Sequence, residues 1–344
     1  MKNKSVYDFT LKQWSNWLNE NNEPLYRAKQ IFDWLYIKRI NTFDEMSNLT
    51  KDLRKKLEEN FVFQTLIIED KYTSESTIKY LFRLTDGHAI ETVIMKHDYG
   101  TSICVSTQVG CKIGCTFCAS SIGGLKRNLT SGEIVSQVIE AQRILDKQED
   151  KIKSVVIMGT GEPFDNYDET INFINIINDE NGINIGQRHI TVSTSGIIPK
   201  IYEFADLNCQ VVLAISLHAP NNEIRSKIMP INNKYPLNEL IEACNYYINI
   251  TKRRVTFEYA LIKDVNDQEK HAIELAELLK DIKCHINLIP LNNSPGSEYV
   301  RSSNNKISLF KRTLERYKIN TTVRREHGNV IEAACGQLRA KNIN

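Results

Sequence analysis

Three cysteines, Cys111, Cys115 and Cys118, recur as C-x3-C-x2-C, a spacing tight enough for one loop to bring three sulfurs onto a single inorganic centre. A structural zinc would want four closed ligands, commonly two C-x2-C pairs, and no second pair occurs. Three thiolates suit an iron–sulfur cube, in which one iron would stay open to a substrate or cofactor, although the familiar ferredoxin spacings differ from this one. The plainer readings are buried cysteines packed as small hydrophobes, or a disulfide. Gly110, Lys112 and Gly114 are poor core neighbours, and a disulfide inside a cell would be reduced. A fourth cysteine, Cys104, lies just upstream.

Two further strings stand out: Gly159-Thr160-Gly161-Glu162-Pro163, and Ala333-Ala334-Cys335-Gly336-Gln337-Leu338 near the end of the chain. The first lacks the lysine of a phosphate loop, but its glycines let backbone approach a ligand closely. Together with the cysteine loop and Cys104, these strings resemble the radical S-adenosylmethionine (SAM) superfamily and, within it, the bacterial dual-specificity 23S rRNA/tRNA adenine-carbon-2 methyltransferases. The resemblance runs in consistent order over most of the chain. It implies one 4Fe-4S cluster on Cys111, Cys115 and Cys118, with SAM's amino and carboxylate groups on the open iron. Gly161 and Glu162 would meet the amino end of SAM; Ser193, Ser216 and Asn292 would hydrogen-bond its carboxylate and ribose, with Leu217 and His218 in the matching binding segment. Cys335 would carry the methyl group, Cys104 would be the unligated resolving thiol, and Glu91 the proton acceptor. Taken singly, Ser193 and Ser216 read as strand-end caps, His218 as a structural histidine, Cys335 as an inert thiol, and Glu91 as the solvent face of a β-hairpin.

Carbon 2 of adenine is electron-poor and has no lone pair, so it cannot attack the electrophilic methyl of SAM. The resemblance implies a detour that uses two SAM per turnover. One methylates the Cys335 thiolate by displacement. The second, cleaved reductively, gives a 5′-deoxyadenosyl radical that takes a hydrogen from S-methyl-Cys335, and the carbon radical adds to adenine. After the carbon-2 proton is lost, Cys104 attacks the sulfur of Cys335, leaving a disulfide and free product. Glu91, in an apolar strand, would have the raised pKa of a base.

The elements that must position these residues follow from periodicity. The chain of 344 residues, 41% apolar, has enough hydrophobic content for a sizeable core in one or two domains. Leu11, Trp14 and Leu18, then Ile31, Trp34 and Leu35, repeat at helical spacing on either side of Pro24. Two alternating runs, 78–84 and 90–95, flank Asp86-Gly87 as a hairpin. From residue 102 onward, seven strand-like stretches alternate with amphipathic helices, one opened by the Thr130-x-x-Glu133 capping pattern. Repeated βα units predict a parallel sheet, and periodicity leaves open whether it is flat or a barrel. The resemblance selects an α/β fold, an incomplete (β/α)6 barrel, with an N-terminal helical domain (1–65), a linking β-hairpin (66–100) and a catalytic domain (101–344). Cys209, Cys244 and Cys284 are expected in the core.

A net charge of +2 from 44 basic and 42 acidic residues says nothing of RNA, so contact must come from local basic faces. Candidates are Lys29, Lys38, Arg39, Lys51, Arg54, Lys55 and Lys56 in the helical block, with Lys126-Arg127 and Arg324-Arg325-Glu326-His327 near the chemistry; a solvated surface explains each as well. The start has no apolar signal region and no run long enough to span a bilayer, so a cytoplasmic protein without membrane contact is expected. The partners implied are 23S rRNA, tRNA and a flavodoxin- or ferredoxin-type electron donor, acting on a monomer. Two alternatives stay open: a carbon-8 methyltransferase of the same family, which tends to have Ala where this chain has Pro163, and a non-catalytic iron–sulfur RNA-binding protein.

Overall fold

The computed structural model describes residues 4–63, 66–292, 298–324 and 336–338. The chain begins with β1 (Lys4–Ser5), α1 (Leu11–Glu20), α2 (Arg27–Phe32), α3 (Lys51–Asn60) and β2 (Phe61–Val62), and β2 returns to pair with β1 in parallel. Helix α1 starts where it does because the Thr10 hydroxyl accepts from the Gln13 amide while the Gln13 side chain accepts from Thr10 N–H, so the exposed amides of the first turn are served. Trp14 and Leu18 then fall on one buried face, against Phe9 and Phe61. Past α2 the backbone widens into a π-helical turn, Asp33–Ile37. That turn buries Leu35 and Tyr36 and leaves Trp34 half-buried, with Lys38 Nζ 3.5 Å from its ring centroid.

Three antiparallel strands follow, β3 (Leu66–Thr73), β4 (Thr77–Leu84) and β5 (Ala89–His97), and the hairpin of the sequence is β4–β5. Strand β6 (Gly100–Cys104) pairs antiparallel with β5 on one side and parallel with β9 (Ile152–Ile157) on the other, so the hairpin and the βα units belong to one sheet. A small ribbon of β7 (Gln108–Val109) and β8 (Arg127–Asn128) carries the cysteine loop between its strands. The parallel part runs through β10 (Ile190–Thr194), β11 (Val212–Ser216), β12 (Val255–Leu261), β13 (Cys284–Pro290) and β14 (Thr321–Val323). Sheet order is β14-β13-β12-β11-β10-β9-β6-β5-β4-β3. Its outermost strands, β14 and β3, are not paired to each other, so the barrel is incomplete as expected. Glu69, Asp70 and Lys71 on β3 place charge along one edge, which discourages pairing with another chain.

Helices α4 (Ser131–Asp146), α5 (Tyr167–Asn178), α6 (Ile198–Asp206), α7 (Asn222–Ile228), α8 (Leu237–Thr251), α9 (Glu269–Leu279) and α10 (Asn304–Arg316) cover the outside of the parallel strands. Ile157, Val192, Leu213 and Phe257 have no exposed surface, and each such side chain contributes about 1.5–3 kcal/mol of burial. The helical block docks on α4 and α5: Gly132 N–H donates to Asp8 Oδ1 at 2.7 Å, Arg143 Nη2 to Ile40 O at 2.6 Å and Asn172 Nδ2 to Asp8 O at 2.8 Å. The two regions therefore share one hydrophobic core. Among the described residues no helix is long and apolar enough to cross a membrane.

Candidate active site

Parallel strands present their carboxyl ends on one rim, and loops leaving those ends gather side chains from distant parts of the sequence. Here Cys111, Cys115 and Cys118 after β6, Gly161 and Glu162 after β9, Ser193 on β10, Ser216 on β11 and Asn292 after β13 all line one cavity. That cavity has about 160 Å³, below the roughly 300–1,000 Å³ of common ligand pockets. It shares Met158, Glu258 and Arg324 as lining residues with a separate space of about 750 Å³ that reaches the amino-terminal ends of β10, β11 and β12.

The Gly-Thr-Gly-Glu-Pro turn is wedged against the strand before the cysteine loop. A Cβ at Gly159 would stand 2.7 Å from Val105 C, and one at Gly161, whose φ is +114°, would stand 2.8 Å from Gln108 N. Glycine is needed at both positions for backbone contact. The turn is anchored by Thr107 N–H and Gln108 N–H on Thr160 O, and by Glu162 N–H on Gln108 Oε1 at 2.8 Å. The Glu162 carboxylate is buried, accepting from Ser195 N–H at 2.7 Å and Phe164 N–H at 3.0 Å; burial raises its pKa, against those hydrogen bonds.

A tight turn closes the loop, with Cys118 N–H donating to Cys115 O at 3.1 Å. Burial pushes the Cys111 thiol up to about 12 and the Cys115 thiol well above its ordinary value, so thiolates here need a cation to balance them. Among the described residues no three His, Cys, Asp or Glu side chains converge on a single metal ion. A cube does not ask for that, because each of its three protein thiolates binds a different iron. Three sulfurs lining one pocket, away from any second ligand cluster, fit a cube with an open iron better than a zinc ion.

Two of the expected SAM-segment residues serve the scaffold. Leu217 has no exposed surface and packs in the core; its N–H donates to Glu258 O. His218 lies at φ 56°, lines the cavity, and accepts from Ala260 N–H at Nδ1, 2.9 Å away, with its ring edge-on to Phe117. Burial, helped by the nearby Arg225, depresses its pKa to about 3, so the ring is neutral. Ser193 and Ser216 stand side by side, their hydroxyl oxygens 3.5 Å apart. Arg225, which the sequence reading did not single out, is fully buried and hydrogen-bonded to the carbonyls of Ser216 and Leu217 at the end of β11. The only sequence signal for it is its place in the helix directly after Ser216-Leu217-His218.

Glu91 is buried, 4% exposed, rather than on a solvent face. Its carboxylate pairs with Lys79 Nζ at 2.9 Å across β4 and β5. Its carbonyl accepts from Ser106 Oγ, which in turn accepts from Thr160 N–H, so the strand is tied to the glycine turn. Cys104 is buried with Val93, Met95 and Leu338. Cys335 and Arg325-Glu326-His327 lie outside the described residues. The residues after Cys335 are placed: Gly336 O accepts from Ala119 N–H at 2.8 Å, and Leu338 O from Ser120 Oγ at 2.8 Å, one turn beyond Cys118. Arg127 does not offer its charge to the rim, because Asp86 and both oxygens of Glu133 occupy it.

Comparison with known proteins places these features in a family. Residues 105–276 match the radical SAM superfamily, and residues 4–63 match the ribosomal RNA large subunit methyltransferase N-terminal domain. The chain is 60% identical over 338 residues to a probable dual-specificity RNA methyltransferase RlmN of Bacillus velezensis, covering 98% of this chain and 93% of that one. A Bacillus licheniformis protein of the same description is 59% identical, covering 98% and 94%. The crystal structure of a radical SAM methyltransferase from Sphaerobacter thermophilus superposes with a TM-score of 0.94 at 46% identity, covering 98% of this chain and 99% of that one.

Proposed function

Because the chain belongs to the RlmN family of radical SAM dual-specificity RNA methyltransferases, we propose that it methylates carbon 2 of an adenosine in 23S rRNA at the peptidyl-transferase centre and of the adenosine 3′ of the anticodon in tRNAs. One cluster and two SAM per turnover supply the methyl group and the radical that activates it. Cys111, Cys115 and Cys118 hold the cluster. Glu162 receives SAM's amino group, and Ser193, Ser216 and Asn292 take its carboxylate and ribose, while the Leu217–His218 segment shapes that wall. Cys335 is the methyl carrier, Cys104 resolves the protein–RNA intermediate by forming a transient disulfide with it, and Glu91 accepts the carbon-2 proton.

The observation that carries this reading is the docking of Gly336–Leu338. The segment directly after Cys335 is bonded to Ala119 and Ser120 beside the cluster loop, and its Leu338 packs on Cys104. The described residues that follow the proposed carrier, the proposed resolving thiol and the cluster loop thus lie together, which supports a transfer between two cysteines. Lys79 Nζ stands 2.9 Å from the Glu91 carboxylate and holds it in place on β5.

RNA would be gripped by the helical domain, 1–65, where Lys29, Lys51 and Lys55 are exposed, whereas Lys38, Arg39, Arg54 and Lys56 are engaged with Asp33, Asp146, Asp44 and Glu23. A cytoplasmic monomer served by a flavodoxin- or ferredoxin-type donor completes the reading. The test is Cys104→Ala: it should load the methyl group and accumulate a ribonuclease-sensitive protein–RNA adduct on denaturing gels, while Cys335→Ala forms none. Ordinary turnover by Cys104→Ala would overturn the assignment, and mass spectrometry finding the methyl on carbon 8 would move the protein to the rival branch.

A further inference from the structure

Arg225 has no exposed surface. Its Nε donates to Leu217 O at 3.1 Å, its Nη2 to Ser195 O at 2.6 Å and Ser216 O at 3.2 Å, and its Nη1 to Asn232 Oδ1 at 3.1 Å. Every one of these acceptors is neutral. A guanidinium stays protonated in proteins, and a buried charge is costly unless an opposite charge meets it. Hydrogen bonds to carbonyls satisfy the donors but leave the charge itself unbalanced. Among the described residues Arg225 makes no ion pair, and Glu162 is linked to it through Ser195, whose N–H serves the carboxylate and whose C=O serves the guanidinium.

Arg225 stands at the wall of the candidate cluster cavity: Ser195 and Ser216, whose carbonyls accept from its guanidinium, line that cavity together with Cys111, Cys115 and Cys118. The thiols of Cys115, in the cluster loop, and Cys244, in α8, are near enough to interact with its charge. Cys244 is an uncharged core thiol, as its burial requires. Cys115 is one of the three cysteines that line the cavity. A cube held by three thiolates is an anion, and one-electron reduction makes it more negative. Net charge near the cluster is among the factors that set its potential.

We propose that Arg225 is a positioning residue whose buried charge is completed by the thiolate-bound cluster, and that it makes the cluster easier to reduce while fixing the ends of β10 and β11 beneath SAM. This rests on the reading that Cys111, Cys115 and Cys118 hold a 4Fe-4S cluster, and not on which carbon of adenine is methylated. A wild-type protein that binds no iron would therefore refute that reading, whereas an iron-loaded protein tests Arg225 alone.

The experiment is a dithionite and mediator titration of the reconstituted protein without RNA, followed by electron paramagnetic resonance of the reduced cluster. Arg225→Gln removes the charge and keeps a donor; Arg225→Lys keeps the charge. Arg225→Gln should lower the reduced-to-oxidised ratio at a given potential at least tenfold, about 59 mV for one electron, and Arg225→Lys should stay near wild type. Asn232→Asp, which puts a carboxylate on the existing Nη1 partner, should lower the ratio in the same direction, and it decides the matter if Arg225→Gln takes up no cluster. An unchanged potential in either iron-loaded variant, or an equal fall in Arg225→Lys, would overturn the proposal.

Discussion

Lys79 and Glu91 face each other at 2.9 Å across two antiparallel strands, both buried. Arg225, on α7 against the ends of β10 and β11, has no exposed surface, and among the described residues its hydrogen bonds go to neutral acceptors. The difference separates two kinds of polar interior. On the antiparallel side the chain itself supplies both charges of the pair. On the parallel side the described residues supply a buried cation and three cavity-lining thiols, a set that a thiolate-bound cluster would balance. A buried pair has to be complete before folding ends, while a half-built site can be finished by what binds there.

The sharpest way to break the comparison is to remove a thiol from the parallel side. Cys111→Ala, Cys115→Ala or Cys118→Ala should each abolish cluster binding and all methyl transfer, read as loss of iron and of visible absorption after anaerobic purification. The circular dichroism spectrum should stay native, since none of the three belongs to the main hydrophobic core. A full cluster in all three variants would mean the site has been placed wrongly.

A smaller but still large effect is expected on the antiparallel side. Lys79→Met leaves a carboxylate buried without its cation and should cost about 3–5 kcal/mol in urea denaturation. Adding Glu91→Leu should return most of that, because apolar replacement of a whole buried pair is close to neutral, yet the double variant should form no product if Glu91 takes the carbon-2 proton. A single variant as stable as wild type would show that the pair does not balance itself as the geometry indicates.

The smallest effect concerns His218, which senses Arg225. Its folded pKa lies near 3, depressed by burial first and by Arg225 second, against about 6.5 in an unfolded chain. The folded protein therefore binds fewer protons below pH 6.5. Stability conferred by the neutral ring is fully present above that pH and declines as pH falls toward 3, by at most about 1.4 kcal/mol per unit. Denaturation midpoints measured from pH 7 to pH 5 should show this slope in wild type and lose it in His218→Gln. A slope that survives the substitution would assign it to other groups.

Much of this protein is written locally in its sequence. The C-x3-C-x2-C spacing places three sulfurs on one loop, Gly159 and Gly161 fix where backbone touches backbone, and alternating βα stretches fix the parallel sheet. All of these depend on residues a few positions apart, for which the physical rule is short-ranged: a turn, a cap or a helical period. The helical block and the hairpin were legible for the same reason.

Other features were decided by residues that meet only after folding. Whether Glu91 faced water or the interior depended on what covers its side of β5: Lys79 reaches its carboxylate from β4, and Val93 and Met95, on the same face, are buried with Cys104 and Leu338. Arg127 looked like a rim charge until Asp86 and Glu133, from two other elements, closed on it. Arg225 was invisible because Asn222–Ile228 has the composition of a surface helix, and only the stacking of α7 against the ends of β10 and β11 brings three carbonyls onto one guanidinium. Sequence by itself determined which chemical groups the chain possesses and the local geometry that displays them. Tertiary structure alone determined which charges are buried and what balances them, because the energy of a charge is set by everything within several ångströms of it in space and not by its neighbours along the chain.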